Sequence, residues 1–293
     1  MVDSQRQSQF ESPLRYPGGK ACIFPFISNL FYENNIVGVN YAEPYAGGSG
    51  LALKLLFNEF VNEIFINDYD YSIYAFWCSI LESNQRFCDW VEDVEVDIEN
   101  WQYFKAIQKN PDKYSQFEVA QTVFFLNRTN ISGVIKGGPI GGLKQKGKYK
   151  INARFNKSDL IKRIQRIVKF KHRIRISNLD GVSFIRKLNK STHNTFIYLD
   201  PPYVHKGANL YMNFFKKKDH EKLARQVEKI KHKWLVSYDN NDFIINLYNK
   251  RQRLIYNLSQ SASNRVGKEI LVFSQQLDFN KSIEKVKKVE LIK

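Results

Sequence analysis

The chain has 293 residues, 43% hydrophobic and 14% aromatic, with 45 Lys+Arg against 29 Asp+Glu and a formal net charge of +16. That content of large apolar side chains excludes an intrinsically disordered chain, and the length suits one large domain or two smaller ones. No window approaches the roughly 18 apolar residues of a membrane span.

Met1 to Phe10 is polar and lacks the apolar core of a secretory signal. Cys22, Cys78 and Cys88 are odd in number and have no metal-ligand spacing, so they read as reduced thiols in a cytoplasm. The five histidines, His172, His193, His205, His220 and His232, are scattered, and no metal is expected.

Taken in order, the apolar run Val37–Glu43 predicts a strand, Leu51–Glu59 a helix, and Glu63–Asn67 a second strand. Asp70–Leu81 and Val119–Leu126 read as helices. Thr195–Leu199 and Lys233–Ser237 read as strands on either side of an amphipathic helix, His220–Lys231, with Leu223, Val227 and Ile230 at helical spacing. Arg253–Leu258 and Ile270–Phe273 suggest a closing β-hairpin. This alternation predicts an α/β fold with a mostly parallel sheet covered on both faces. Residues 90–175 break the rhythm. Their stretch GVIKGGPIGGLKQKGKYK, with glycines at 137, 138, 141, 142 and 147, is loop punctuation and predicts a smaller inserted module.

The charge follows the same division. Residues 40–118 hold 14 acids and 5 bases, whereas residues 134–175 hold 14 bases and the single acid Asp159. A basic block inside a folded chain concentrates potential that selects a polyanion such as nucleic acid; the plainer reading is a solvated lysine-rich loop.

Three motifs stand out. Glu43-Pro44-Tyr45-Ala46-Gly47-Gly48-Ser49-Gly50 lies between a strand and a helix, where glycines let the backbone approach a ligand and the helix N-terminus favours anionic groups. It matches neither the dinucleotide nor the P-loop spacing. Asp68, at the end of the next strand, stands where doubly wound folds place an acid on ribose hydroxyls. The pair fits a nucleoside-containing cofactor such as S-adenosylmethionine, and a purely structural turn remains the alternative. Arg15-Tyr16-Pro17-Gly18-Gly19-Lys20 reads either as a tight turn presenting Lys20 to a carboxylate or phosphate or as an ordinary turn with a solvated lysine; Ala21 replaces the Ser or Thr of a Walker loop. Asp200-Pro201-Pro202-Tyr203 follows an apolar strand. Its prolines remove two N–H donors, leaving the Asp200 carboxylate and the Pro201 carbonyl as acceptors, with Tyr203 as a stacking face. Two acceptors gripping an exocyclic amine would free its delocalised lone pair to attack a sulfonium methyl. A base in a duplex must flip out to reach them.

In this order the motifs resemble the Dam-like family of DNA adenine-N6 methyltransferases, over nearly the whole chain. The resemblance implies a Rossmann-like methyltransferase core from residues 1–89 and 176–293, with 90–175 as an inserted target-recognition region. It implies S-adenosylmethionine as cofactor, held by Tyr16, Lys20, Glu43, Tyr45, Gly47, Asp68 and Asp200. It implies catalysis by Asp200, Pro201, Pro202 and Tyr203, the last stacking on a flipped adenine in double-stranded DNA. Asn127-Arg128-Thr129-Asn130-Ile131-Ser132-Gly133 would open the DNA-contacting part, with Arg128, Asn130, Ser132, Lys136, Lys144, Lys146, Lys148 and Lys150 at the DNA. A companion restriction nuclease is an optional partner, and the family's setting is a bacterial cytoplasm, or that of a phage's host. Ile131, Ser132 and Lys136 depart from the aromatic, Asn and Arg of GATC-methylating members, so GATC does not carry over as the target.

Asp at the first position of Asp200–Tyr203 favours adenine N6 over cytosine N4. The absence of any Pro-Cys pair argues against cytosine C5. An RNA or protein-amide methyltransferase, or a nucleic-acid-binding protein with an inactive transferase fold, stays open at this point. By its position alone, Gly207 to Phe215 suggests a loop closing over the flipped base, with plain surface packing as the equal alternative.

Overall fold

The computed structural model describes residues 11–16, 18–204, 215–260, 265–285 and 290–292. The loop expected at 207–215 falls, except for Phe215, outside them.

Long connections carry helices between the first strands, so those strands run parallel. β1 (Val39–Glu43), β2 (Val61–Asn67), β3 (Ile174–Ser177), β4 (Thr195–Leu199) and β5 (Trp234–Asp239) pair in the order β3-β2-β1-β4-β5. The sheet then turns antiparallel through β7 (Arg265–Phe273), β6 (Arg253–Gln260) and β8 (Glu290–Ile292), giving eight strands among the described residues. β6 and β7 form the expected hairpin in longer form, while β3 and β8 were not anticipated. The sheet grows from β1 first toward β3 and then, with β4, toward the other edge. The strand order therefore reverses between β1 and β4, and a crevice opens there at the carboxyl ends of the strands.

Alternation along the strands sends side chains to two cores. Tyr41 of β1 and Phe196 and Tyr198 of β4 face one; Ala42, Ile197 and Leu199 face the other. The first core is covered by α1 (Phe24–Glu33), α2 (Gly50–Phe57) and α3 (Tyr71–Glu82), and the second by α8 (Gly181–Leu188), α9 (Lys217–Val227) and α10 (Asp242–Leu247). Every residue of β4 is buried, as a parallel strand covered on both faces must be.

The region read as a separate module is mostly helical. α4 (Asn84–Asp93), α5 (Ile98–Lys109), α6 (Gln116–Thr129) and α7 (Lys157–Lys169) put Phe87, Phe104, Phe124 and Leu160 into the same apolar cluster as the sheet. Residue 90 lies inside α4 and residue 175 inside β3, so a cut at either point would sever an element. The basic block divides in two. Residues 134–150 form the glycine-rich loop, whereas α7 buries Leu160, Ile164 and Ile167 and keeps Lys162, Arg166 and Lys169 exposed.

Asn67 ties the carboxyl ends of β1, β2 and β3 together. Its Nδ2 donates to the Pro44 and Leu179 carbonyls at 3.0 and 2.8 Å, and its Oδ1 accepts from the Ser177 hydroxyl and the Leu179 N–H, each at 2.9 Å. The residue is fully buried, so removing the amide strips four hydrogen bonds from an interior position. Asn67→Ala is expected to lower the unfolding free energy by roughly 2–4 kcal/mol, read as a fall in the urea midpoint at unchanged slope.

Candidate active site

β4 delivers Asp200 to the crevice. Its side chain is 22% exposed, while Pro201, Pro202 and Tyr203 behind it are buried. Both carboxylate oxygens are held. Ser237 of β5 donates to Oδ1 at 2.8 Å and is itself held by the Tyr198 hydroxyl at 2.8 Å. Lys20 donates to Oδ2 at 2.9 Å. The Lys20 side chain is only 4% exposed and also donates to the Gly18 carbonyl at 2.9 Å and to the Tyr203 oxygen at 2.7 Å.

A second carboxylate lies behind the lysine. Glu269 of β7 is 1% exposed, and its Oε2 stands 3.7 Å from the Lys20 ammonium. Tyr203 donates to its Oε1 and Tyr256 of β6 to its Oε2, each at 2.7 Å. Burial pushes the Asp200 carboxyl above its ordinary range; the Lys20 ammonium pulls it back, and Glu269 adds to the rise. Burial, with Asp200 and Glu269 beside it, likewise pushes the Tyr203 phenol well up. Neither Ser237, Tyr256 nor Glu269 stood out in the sequence, where the first two sit in apolar strands and the third in the polar connection of the hairpin. The one available signal was a lone glutamate leading the run Ile270–Phe273.

The structure brings the glycine loop onto the expected ribose acid. The Gly47 N–H donates to Asp68 Oδ2 at 2.8 Å, and the Asp70 N–H to Oδ1 at 2.9 Å. Burial, with Asp70 nearby, raises Asp68 to about 7. Gly47 has φ +48°, and a Cβ there would lie 2.8 Å from the Tyr16 ring, so that tyrosine seals the loop from above. The Tyr45 hydroxyl is buried without a hydrogen-bond partner and packs so tightly over Gly181 that a Cβ there would come within 2.6 Å of it. Glu43 does not join this group at the surface. It is 5% exposed and accepts from Tyr41 at 2.9 Å, and burial raises it to about 8.

Three expectations change. Tyr203 offers no open ring face: it is 6% exposed, because its hydroxyl is drawn inward by Lys20 and Glu269. Arg128 and Asn130 are likewise interior. Arg128 is 7% exposed and donates to the Arg154 carbonyl at 2.7 Å. Its burial and the neighbouring Arg163 and Arg15 lower it to about 9. Asn130, fully buried, accepts from the Trp101 indole at 2.7 Å and donates to the Val134 and Ile135 carbonyls at 2.8 and 2.9 Å. Both brace the root of the glycine-rich loop and present no side-chain surface to a duplex. Ser132, at φ +56°, is half-buried at that root.

Lys136, Lys144, Lys146, Lys148 and Lys150 are exposed as expected, with Leu143 and Tyr149 exposed among them. The loop that carries them is built. The Gln145 side chain donates to the Ile140 carbonyl and accepts from the Ile151 N–H, both at 2.8 Å, and Gly147 packs backbone against backbone on Gly141.

Compared with known proteins, residues 16–262 match the D12 class N6 adenine-specific DNA methyltransferase family. The chain belongs to that family. It is therefore an adenine-specific DNA methyltransferase. It is 25% identical over 235 residues to the Type II methyltransferase M.CviBI of Paramecium bursaria Chlorella virus NC1A, covering 78% of this chain and 85% of that one. The solved structure of the Haemophilus influenzae methylase HI0767 overlaps 88% of this chain and all of its own at 9% identity, with a TM-score of 0.37, too loose an overlap to bear on the fold. Among the described residues, no helix is long and apolar enough to cross a membrane.

Glu43 has a folded value raised from 4.5 to about 8, so the protonated carboxyl is the form the fold prefers. Its contribution to stability is present below the ordinary carboxylate range and is lost as pH rises toward 8. Glu43→Gln is expected to flatten the fall in thermal midpoint between about pH 5 and 8, measured by a pH series of melting curves.

Proposed function

We propose that the chain transfers a methyl group from S-adenosylmethionine to the N6 amino group of an adenine flipped out of double-stranded DNA at a fixed site. The observation that carries this reading is the Asp200 carboxylate. It is clamped on both oxygens, partly exposed, and followed by two buried prolines without N–H groups. A clamped carboxylate retains a second acceptor position on each oxygen. It can therefore take a hydrogen bond from a neutral amine without first reorganising, and preorganised acceptors of this kind lower the barrier most.

The residues around Asp68 suit the cofactor. Each oxygen of that acid already takes one backbone N–H and keeps room for a ribose hydroxyl, and the buried Tyr45 hydroxyl awaits a partner. S-adenosylmethionine, when bound, supplies an electrophilic methyl group on a sulfonium. Asp68, Tyr45, Gly47 and Tyr16 would hold it beside Asp200. Asp200 would draw an N6 hydrogen toward itself, so that the nitrogen lone pair leaves conjugation with the ring and points at the methyl carbon. Stacking of the flipped base on Tyr203 would require that ring to be uncovered.

Residues 90–175 act in this reading as the target-recognition region and residues 1–89 and 176–293 as the catalytic core. The braced loop bearing Lys136, Lys144, Lys146, Lys148 and Lys150 holds the phosphate backbone, with Leu143 and Tyr149 as apolar contacts. The Type II methyltransferase among its relatives supports methylation at a defined sequence; a restriction nuclease as companion belongs to this reading.

Asp200→Ala is expected to abolish incorporation of labelled methyl into duplex DNA while the melting curve stays cooperative; substantial residual transfer would overturn the mechanism. Replacing Lys144, Lys146, Lys148 and Lys150 by Gln together is expected to weaken DNA binding. It should also flatten the log–log salt dependence by roughly one unit for each phosphate no longer neutralised, followed by fluorescence anisotropy. Mapping N6-methyladenine in DNA from cells expressing the protein reads out the site.

A further inference from the structure

We propose that Glu269 is a positioning residue for methyl transfer, setting the place of Lys20 and Tyr203 and thereby the orientation and ionisation of Asp200. This inference rests on the reading of Asp200 as the group that grips the target amine.

The geometry is specific. One carboxylate accepts from two tyrosines on different elements, Tyr203 after β4 and Tyr256 on β6, and lies 3.7 Å behind the ammonium that clamps Asp200. Lys20 is almost wholly buried and needs compensating charge. With Asp200 alone the ammonium would be drawn fully onto the reacting carboxylate. With Glu269 behind it, the ammonium is held between two anions and donates to Tyr203 as well. Asp200 is left a clamped but incompletely neutralised acceptor, which is what an incoming neutral amine requires.

Asp200 is faced from every side by groups that bear on its charge. Lys20 and Cys22 come from the N-terminal turn, Tyr41 and Glu43 from β1, Tyr198 from β4 and Tyr203 from the segment after it. Tyr238 comes from β5, Tyr256 from β6 and Glu269 from β7. Among these, Glu269 is a carboxylate sharing the Lys20 ammonium with Asp200, so its charge opposes ionisation of Asp200 while its hydrogen bonds hold the clamp.

The two roles separate by substitution. Glu269→Gln keeps the shape and can still accept from one tyrosine, but it loses the charge. The acid limb of the kcat–pH profile is then expected to move to lower pH, because Asp200 stays ionised further down. At neutral pH, kcat is expected to fall on the order of tenfold to a hundredfold as the clamp loosens, with KM for DNA little changed. Tyr256→Phe removes one donor and leaves the Glu269 charge less compensated, so it should move the same limb to higher pH. Glu269→Asp keeps the charge and should leave the limb where the wild type has it.

The assay is single-turnover and steady-state methylation of duplex DNA by the full-length wild type and the three variants, with melting curves alongside. Opposite shifts for Glu269→Gln and Tyr256→Phe support the inference. An acid limb unmoved in both, with an active wild type, overturns it and leaves the reading of Asp200 standing. If Glu269→Gln fails to fold, the direction of the Tyr256→Phe shift decides alone. A wild type that forms no N6-methyladenine in any duplex overturns that reading, and the inference with it.

Discussion

A buried ammonium must be surrounded by acceptors, and Lys20 draws its set from three distant parts of the chain. Its own turn supplies the Gly18 carbonyl, the end of β4 supplies Asp200 and Tyr203, and β7 supplies Glu269. Taking an ion out of water costs several kcal/mol, and only good geometry offsets it. The lysine therefore acts as a fastener between the N-terminal turn and the reversal point of the sheet. The crevice that any open α/β sheet has at this place becomes, here, a site with fixed charges.

The same turn is also stitched to the helical region. The Asn127 side chain pairs with both the N–H and the carbonyl of Arg15, each at 2.7 Å, and reaches the Gly133 carbonyl at 3.0 Å. Gly133 lies so close that a Cβ there would be 2.5 Å from the Arg15 carbonyl oxygen. The root of the lysine-bearing loop and the turn that carries Lys20 are thus one junction. Asn127, Arg128 and Asn130 serve that junction, which explains why residues of a surface-binding motif are found inside.

Much of the fold was readable because strands buried on both faces leave uninterrupted apolar runs, as in Thr195–Leu199 and in Ile270–Phe273 of the hairpin. β3 escaped because it is four residues long, half-exposed, and set in a basic context where Arg175 pairs with Glu63. α7 escaped because its eight charged or polar positions masked the spacing of Leu160, Ile164 and Ile167. At the site, the residues carried by compact motifs came together: Lys20, Asp200 and Tyr203 on one side, and Gly47 and Asp68 on the other. Ser237, Tyr256 and Glu269 carry no local signature, because what defines them is a partner far away in the chain. Tyr203 shows the limit of a motif from the other side. Its identity was legible, but the direction of its ring depends on a hydroxyl whose acceptor is contributed by a later strand.

The position of β7 has a consequence for the life of the polypeptide. β7 inserts between β5 and β6, so the sheet cannot close, and Glu269 cannot arrive, until both hairpin strands have been synthesised and docked. A chain ending before residue 265 would carry the glycine loop, the lysine turn and the Asp200–Tyr203 segment, yet lack the Glu269 carboxylate that stands 3.7 Å from the Lys20 ammonium. Every motif that the sequence displays thus lies before the strand that completes the surroundings of Lys20.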